Sequence, residues 1–292
     1  MKKIVLNLLA FSAILSAQTS PTIYWVDATN GNDNSAGTTE ATAWETIHKV
    51  FQQSRFKQTV VDTVKVKAGT YDFEDAEIYA YSSYDFVLIG VEGSSKTIFD
   101  AGNKSRHMTI DGGQSNKTKI QGITFKNGYT NNWPGGGSVY LTYGSDVQFI
   151  DCVWKNNSIT NNEGGGAVHI RDESTPTFTS CVFEGNYVKR VDDFPSSGDT
   201  DGRTSYGGAV RIQSANNKTD LENAVIFKKT AFINNYAHAK ESSYGGAIYS
   251  QRSLTVENCL FVKNYIVSHD GGTWDAAMGG AIYFNATHWN NS

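Results

Sequence analysis

The sequence predicts an all-β chain: a right-handed, single-stranded parallel β-helix, with an N-terminal capping α-helix. A repeated unit and the composition carry this reading. Five times between Ile120 and Phe284 the chain writes an aromatic: Phe125, Trp154, Phe183, Phe232 and Phe261. Asn follows three residues later in four copies (Asn157, Asn186, Asn235, Asn264), with Gly128 in the first. After a gap comes a glycine pair: Gly136-Gly137, Gly165-Gly166, Gly207-Gly208, Gly245-Gly246 and Gly279-Gly280. Successive pairs lie 29 to 42 residues apart, with the variation confined to the gaps, as in coils that stack on their neighbours. The chain holds 28 Gly, 4 Pro, 15 Tyr and 15 Phe, which suits short strands joined by tight turns and excludes a helical bundle.

Residues 1–17 read as an export signal: Lys2 and Lys3, an apolar run over 4–15 that is too short to span a bilayer, then Ser16-Ala17. A buried N-terminal strand is the competing reading. No later stretch is apolar enough for a transmembrane helix, and the cleavage site has no Cys for a lipid anchor. Residues 18–60 form the cap. Thr42-Ala43-Trp44-Glu45 matches a capping box, with Trp44, Ile47, Val50 and Phe51 at helical spacing, which predicts an amphipathic helix over 43–54 lying across the open end of the solenoid. Residues 61–292 are the β-helix, with its less regular first strands at Thr63–Val66, Phe86–Ile89, Thr97–Phe99 and His107–Ile110.

Within one coil, two apolar positions of opposite parity precede the aromatic. Five residues before it stand Ile120, Phe149, Phe178, Phe227 and Val256; two before it stand Ile123, Cys152, Cys181, Thr230 and Cys259. One unbroken strand cannot turn both inward, so a bend must fall between them, at Gly122, Asp151, Ser180, Lys229 and Asn258. The repeat Asn is expected to turn the chain in the left-handed region and to bond its equivalents as a ladder. After the glycines, Val139, Val168, Val210, Ile248 and Ile282 should point inward. Tyr140, His169, Arg211, Tyr249 and Tyr283 should point outward. Three strands per turn result. The three Cys share an inward slot with Thr and Ile, which favours core filler over a Cys152–Cys181 disulfide or a metal site.

The Phe-x-x-Asn and Gly-Gly-Ala-Ile/Val pairing resembles the repeat of the polymorphic outer membrane proteins, over about 120–284. That resemblance implies an exported bacterial surface protein, secreted or associated with the outer membrane, and adhesion. Tyr24-Trp25-Val26-Asp27, Gly31-Asn32-Asp33, Thr46-Ile47 and Val66-Lys67-Ala68-Gly69-Thr70-Tyr71 resemble the N-terminal cap of secreted β-helix proteins, which implies fold and no particular activity. The chain departs from the surface proteins in having fewer coils and no C-terminal barrel, and it reads as truncated at Ser292. The Val66–Tyr71 segment also resembles pectin methylesterases. Their Gln-Asp-Thr and Arg-Pro-Trp signatures are absent here, so no active site is carried over.

Chemistry is sparse. A net charge of −4 argues against nucleic acid as the main partner. The six His have no metal-ligand spacing, and no Lys-Ser/Thr follows the glycine runs to cradle phosphate. Asp192, Asp193, Asp199 and Asp201 cluster in the third gap, as a solvated insertion or a calcium site; no other cofactor is suggested. The outward row Tyr140, His169, Arg211, Tyr249, Tyr283 would stack at about 4.8 Å as a strip for sugar rings or a partner protein, or as ordinary strand surface. The sequence therefore points to a non-enzymatic surface protein for adhesion, or for contact with a glycan or a host-cell protein. A polysaccharide lyase or hydrolase is the alternative, and a structural spacer a third reading.

Overall fold

Alternation of apolar residues across short strands leaves each coil one face to bury, and the coils bury it together. The computed structural model describes residues 20–52, 56, 60–73, 76–81, 83–160, 163–190, 204–214, 224–268 and 276–285. The export segment 1–17 and the Asp192–Asp201 cluster lie outside the described residues. Every strand pairing is parallel, and every long sheet joins equivalent strands of successive coils, so the chain is a parallel β-helix. Its right hand is that of nearly all connections between parallel strands. Sheets of eight, seven and seven strands form the three expected walls. Two further sheets enlarge the expected coil: five strands directly after the repeat Asn, such as Tyr187–Arg190, and three within the gaps, Thr204–Tyr206, Ser242–Tyr244 and Ala277–Met278.

The core is a set of stacked rings. Phe125, Trp154, Phe183, Phe232 and Phe261 run along one line with centroids 5.4, 4.6, 4.8 and 4.8 Å apart. Phe149, Phe178 and Phe227 form a second line at 5.0 and 4.8 Å. Each such pair adds about 0.5–1.5 kcal/mol beyond the area it buries. Both inward positions are buried in the inner coils, and the bend between them is where expected. Asp151, Ser180, Lys229 and Asn258 take φ of 50, 55, 50 and 53°, and Gly122 takes 66°. Cys152, Cys181 and Cys259 are free thiols. Cys152 and Cys181 donate to Ile120 O and Phe149 O, as Thr230 donates to Phe178 O. A small side chain with one donor suits that slot.

Two corners differ in detail from the expectation. The left-handed residue after the aromatic is the one before the repeat Asn: Asn127, Asn156, Gly185, Asn234 and Lys263, with φ of 53 to 64°. This frees the repeat Asn to point inward. Asn157 Nδ2 donates to Asn186 Oδ1 (2.9 Å), Asn186 to Asn235 (3.0 Å) and Asn235 to Asn264 (2.9 Å), which is the ladder. At the glycine pair, the first member has positive φ (Gly136 80°, Gly165 71°, Gly207 60°, Gly245 67°, Gly279 72°). The second (Gly137, Gly166, Gly208, Gly246) lies so close to the backbone of the next coil that a Cβ has no room.

The N-terminal helix is corrected. In place of a helix from 43, a 3-10 turn at Glu40–Thr42 is followed by one α-helical turn at His48–Phe51. Trp44 is committed to a sheet: it bridges Val26, its amide donates to Trp25 O, and its carbonyl accepts from Asp27 N. The Asp33 carboxylate holds the Glu45 and Thr46 amides, the work expected of the capping box. Trp44, Ile47 and Val50 are nevertheless buried in the core, as their spacing predicted.

A covered aromatic and cationic row, and where it opens

The seven-stranded wall runs from Ile78–Ala80 through Met108–Ile110, Val139–Leu141, Val168–Ile170, Val210–Ile212 and Ile248–Ser250 to Ile282–Phe284. Its register aligns Tyr79, Thr109, Tyr140, His169, Arg211, Tyr249 and Tyr283 on the outer face. The five predicted residues are thus brought together, and two more join them. Their exposure is corrected, however. Tyr140, His169, Arg211 and Tyr249 are 7, 0, 7 and 3% exposed, and Tyr283 is half-buried. The described residues next to the glycine pairs lie over the wall. Tyr206 packs on Tyr249 (4.7 Å) and on the Arg211 guanidinium (4.6 Å), Tyr244 packs on Tyr283 (5.0 Å), and Glu163 pairs with Arg211 (2.5 Å). The signal was in the sequence: Tyr206 and Tyr244 directly precede glycine pairs.

His169 Nε2 lies 3.0 Å from Gln213 Oε1; an amide oxygen can only accept, so Nε2 carries the proton. Nδ1 is buried without a hydrogen-bond partner. Burial, then the charges of Arg211, Arg171 and Arg106, hold this imidazole well below its ordinary pKa, so it is neutral. His107, buried against Phe99 O (3.0 Å) and Ser138 Oγ (3.1 Å), is likewise pushed down by burial, to about 4.

The wall is open where the N-terminal strands meet the first gap. Tyr79 and Tyr81 stack at 5.1 Å and are 47 and 61% exposed, while Trp133 and Tyr143 are 67 and 70% exposed. None of these four was singled out in the sequence, because each falls outside the repeated positions. The Trp133 loop is held from below by Arg106, which donates to Gly136 O (2.8 Å), Gly135 O (3.1 Å) and Pro134 O (2.5 Å) while pairing with Glu77 (3.1 Å). A second outward row continues the register by backbone bonds: Asp111 to Ala80 O, Thr142 to Ile110 O, Arg171 to Leu141 O and Gln213 to Ile170 O. Asp111 is pushed up by burial, and its Oδ1 has no hydrogen-bond partner. Among the described residues, no three of His, Cys, Asp or Glu form a metal-binding group.

No protein-family model matches the chain. No curated protein matches it. Among solved structures it is similar to "Pectin methylesterase from Carrot", with 11% identity over 93% of this chain and 90% of that chain and a TM-score of 0.30. A likeness this distant carries no argument about activity.

Proposed function

We propose that the protein is an exported bacterial surface β-helix that binds glycans without turning them over, at the open aromatic end of the wall. The observation that supports this is the group Tyr79, Tyr81, Trp133 and Tyr143, all between 47 and 70% exposed, on a rigid stacked scaffold. Exposed aromatic residues on fixed elements offer apolar ring faces with a polar tip, at low ordering cost. The resemblance of its repeats to those of polymorphic outer membrane proteins agrees with surface display and adhesion. A protein partner on the host cell would use the same group.

The test is binding of the parent and of the Tyr79→Ala, Tyr81→Ala, Trp133→Ala, Tyr143→Ala variant to a glycan array and to host cells. Loss of binding with the melting temperature retained supports the reading. Equal binding by both proteins, or no binding by the parent, removes it. Asp111 favours a second reading, a carbohydrate-active enzyme: a carboxyl pushed up by burial, its Oδ1 without a hydrogen-bond partner, is the kind of group that serves as the acid in glycoside hydrolysis. Release of reducing ends from a bound polysaccharide, lost in Asp111→Asn, would establish that reading instead.

A further inference from the structure

Three guanidinium groups lie around His169: Arg106, Arg171 and Arg211. Two are matched by carboxylates, Arg106 by Glu77 at 3.1 Å and Arg211 by Glu163 at 2.5 Å. Arg171 has no ion pair among the described residues, and its Nε is buried without a hydrogen-bond partner. Its near carboxylates are otherwise placed. Asp172 accepts the Thr142 hydroxyl at 2.5 Å, and Asp111 stands two strands away, about 9.6 Å at the usual strand spacing. The Arg171 guanidinium lies under the Trp133 ring, 5.4 Å from its centroid, and that ring is 67% exposed. A planar cation without an ion pair, lying beneath an open indole, thus sits on a row that continues into the amide of Gln213.

Resting on the glycan-binding reading above, we infer that Arg171 and Trp133 form a subsite for a carboxylated sugar, the indole packing on the ring and Arg171 pairing with the carboxylate. The chemistry favours a carboxylate on a sugar over a bare anion. Guanidinium takes planar carboxylates through two parallel N–H bonds, and the exposed indole offers nothing to an inorganic ion but much to the C–H face of a pyranose. A half-buried Arg held against an aromatic face loses less order and less hydration on pairing than an exposed lysine.

The experiment compares the affinity of the whole protein for an oligo-hexuronate, the same oligomer as its methyl ester, and a sialyl-oligosaccharide. The expected result is a preference for one of the free acids over the ester of about 10-fold or more at low salt, shrinking as salt rises. Arg171→Gln should abolish the preference while leaving ester binding within about twofold, and Arg171→Lys should retain part of it. Trp133→Ala should weaken acid and ester alike. The two acids distinguish a uronate chain from a sialyl terminus. If the parent binds acid and ester equally, or Arg171→Gln keeps the preference, the subsite is overturned while glycan binding stands. If the parent binds none of the array's glycans, both readings fall. The parent's acid-to-ester ratio needs no variant, so misfolding of Arg171→Gln would not shield the inference.

Discussion

Replacing Gly166 by Ala should destabilise the protein by about 3 kcal/mol or more, while the same change at Gly280 should be close to neutral. Both are second members of a glycine pair, and neither needs positive φ. At Gly166 an added Cβ would fall inside the shells of Gly208 O and Tyr187 O and 2.6 Å from the Tyr187 carbonyl carbon, all rigid backbone of the next coil. Relief requires the coils to part by about 1 Å against a strand spacing of about 4.8 Å. That would stretch the bonds Gly166 N to Gly207 O (3.3 Å), Ala167 N to Ala209 O (2.9 Å) and Val168 N to Ala209 O (3.0 Å). Each buried donor left without a partner costs about 1–3 kcal/mol, so losing two accounts for the figure. At Gly280 the nearest atom is Asn264 O at 3.9 Å, ordinary contact. Alanine there should even gain a few tenths of a kcal/mol through the unfolded chain. At roughly 2–4 °C per kcal/mol, Gly166→Ala should melt about 6 °C or more below the parent. Because solenoids can open locally, hydrogen exchange at Ala167, Val168 and His169 should accompany the melt. If the two variants melt within about 2 °C of each other, contact between coils is not the reason for the second glycine.

The repeat Asn gives an independent test. Asn186→Leu removes an acceptor for the Asn157 amide and backbone N–H and a donor to Trp154 O and Asn235 Oδ1, so chemical denaturation should show a loss of about 3 kcal/mol or more. For pH, His107 is neutral when folded, with a pKa of about 4 against 6.5 unfolded; its stability is therefore complete above 6.5 and is lost as pH falls towards 4. The loss should be on the order of 3 kcal/mol, with His169 adding to it, and a His107→Gln variant should show a flatter stability–pH curve. Tyr249→Ala should cost about 3 kcal/mol, because that ring is 3% exposed beneath Tyr206; a melting temperature equal to the parent's would return Tyr249 to the surface.

The stacking of coils, their walls and their core rings were legible because the repeat writes them five times. A position that recurs as Phe125, Trp154, Phe183, Phe232 and Phe261 has one physical explanation, an inward line of rings. The left-handed corner was misplaced by one residue, since Asn157 and Asn156 are both good turn formers and only the ladder shows which of the two is needed inside. The helix over 43–54 was overcalled because Trp44 fits helical spacing as well as it fits a bridge to Val26.

What sequence alone decided about this protein is its periodic part: parity, the bend before each aromatic, the Asn ladder, and the need for glycine, all local consequences of strand geometry repeated in register. Only tertiary structure decided which side of the wall meets water. The row Tyr140, His169, Arg211, Tyr249, Tyr283 is outward by parity and yet covered, because Tyr206, Tyr244 and Glu163, from the segments between Asn and glycine, pack upon it. Those segments obey no period. Where they land depends on partners more than thirty residues away, as with Glu163 and Arg211, and alternation along a strand carries no record of such contacts.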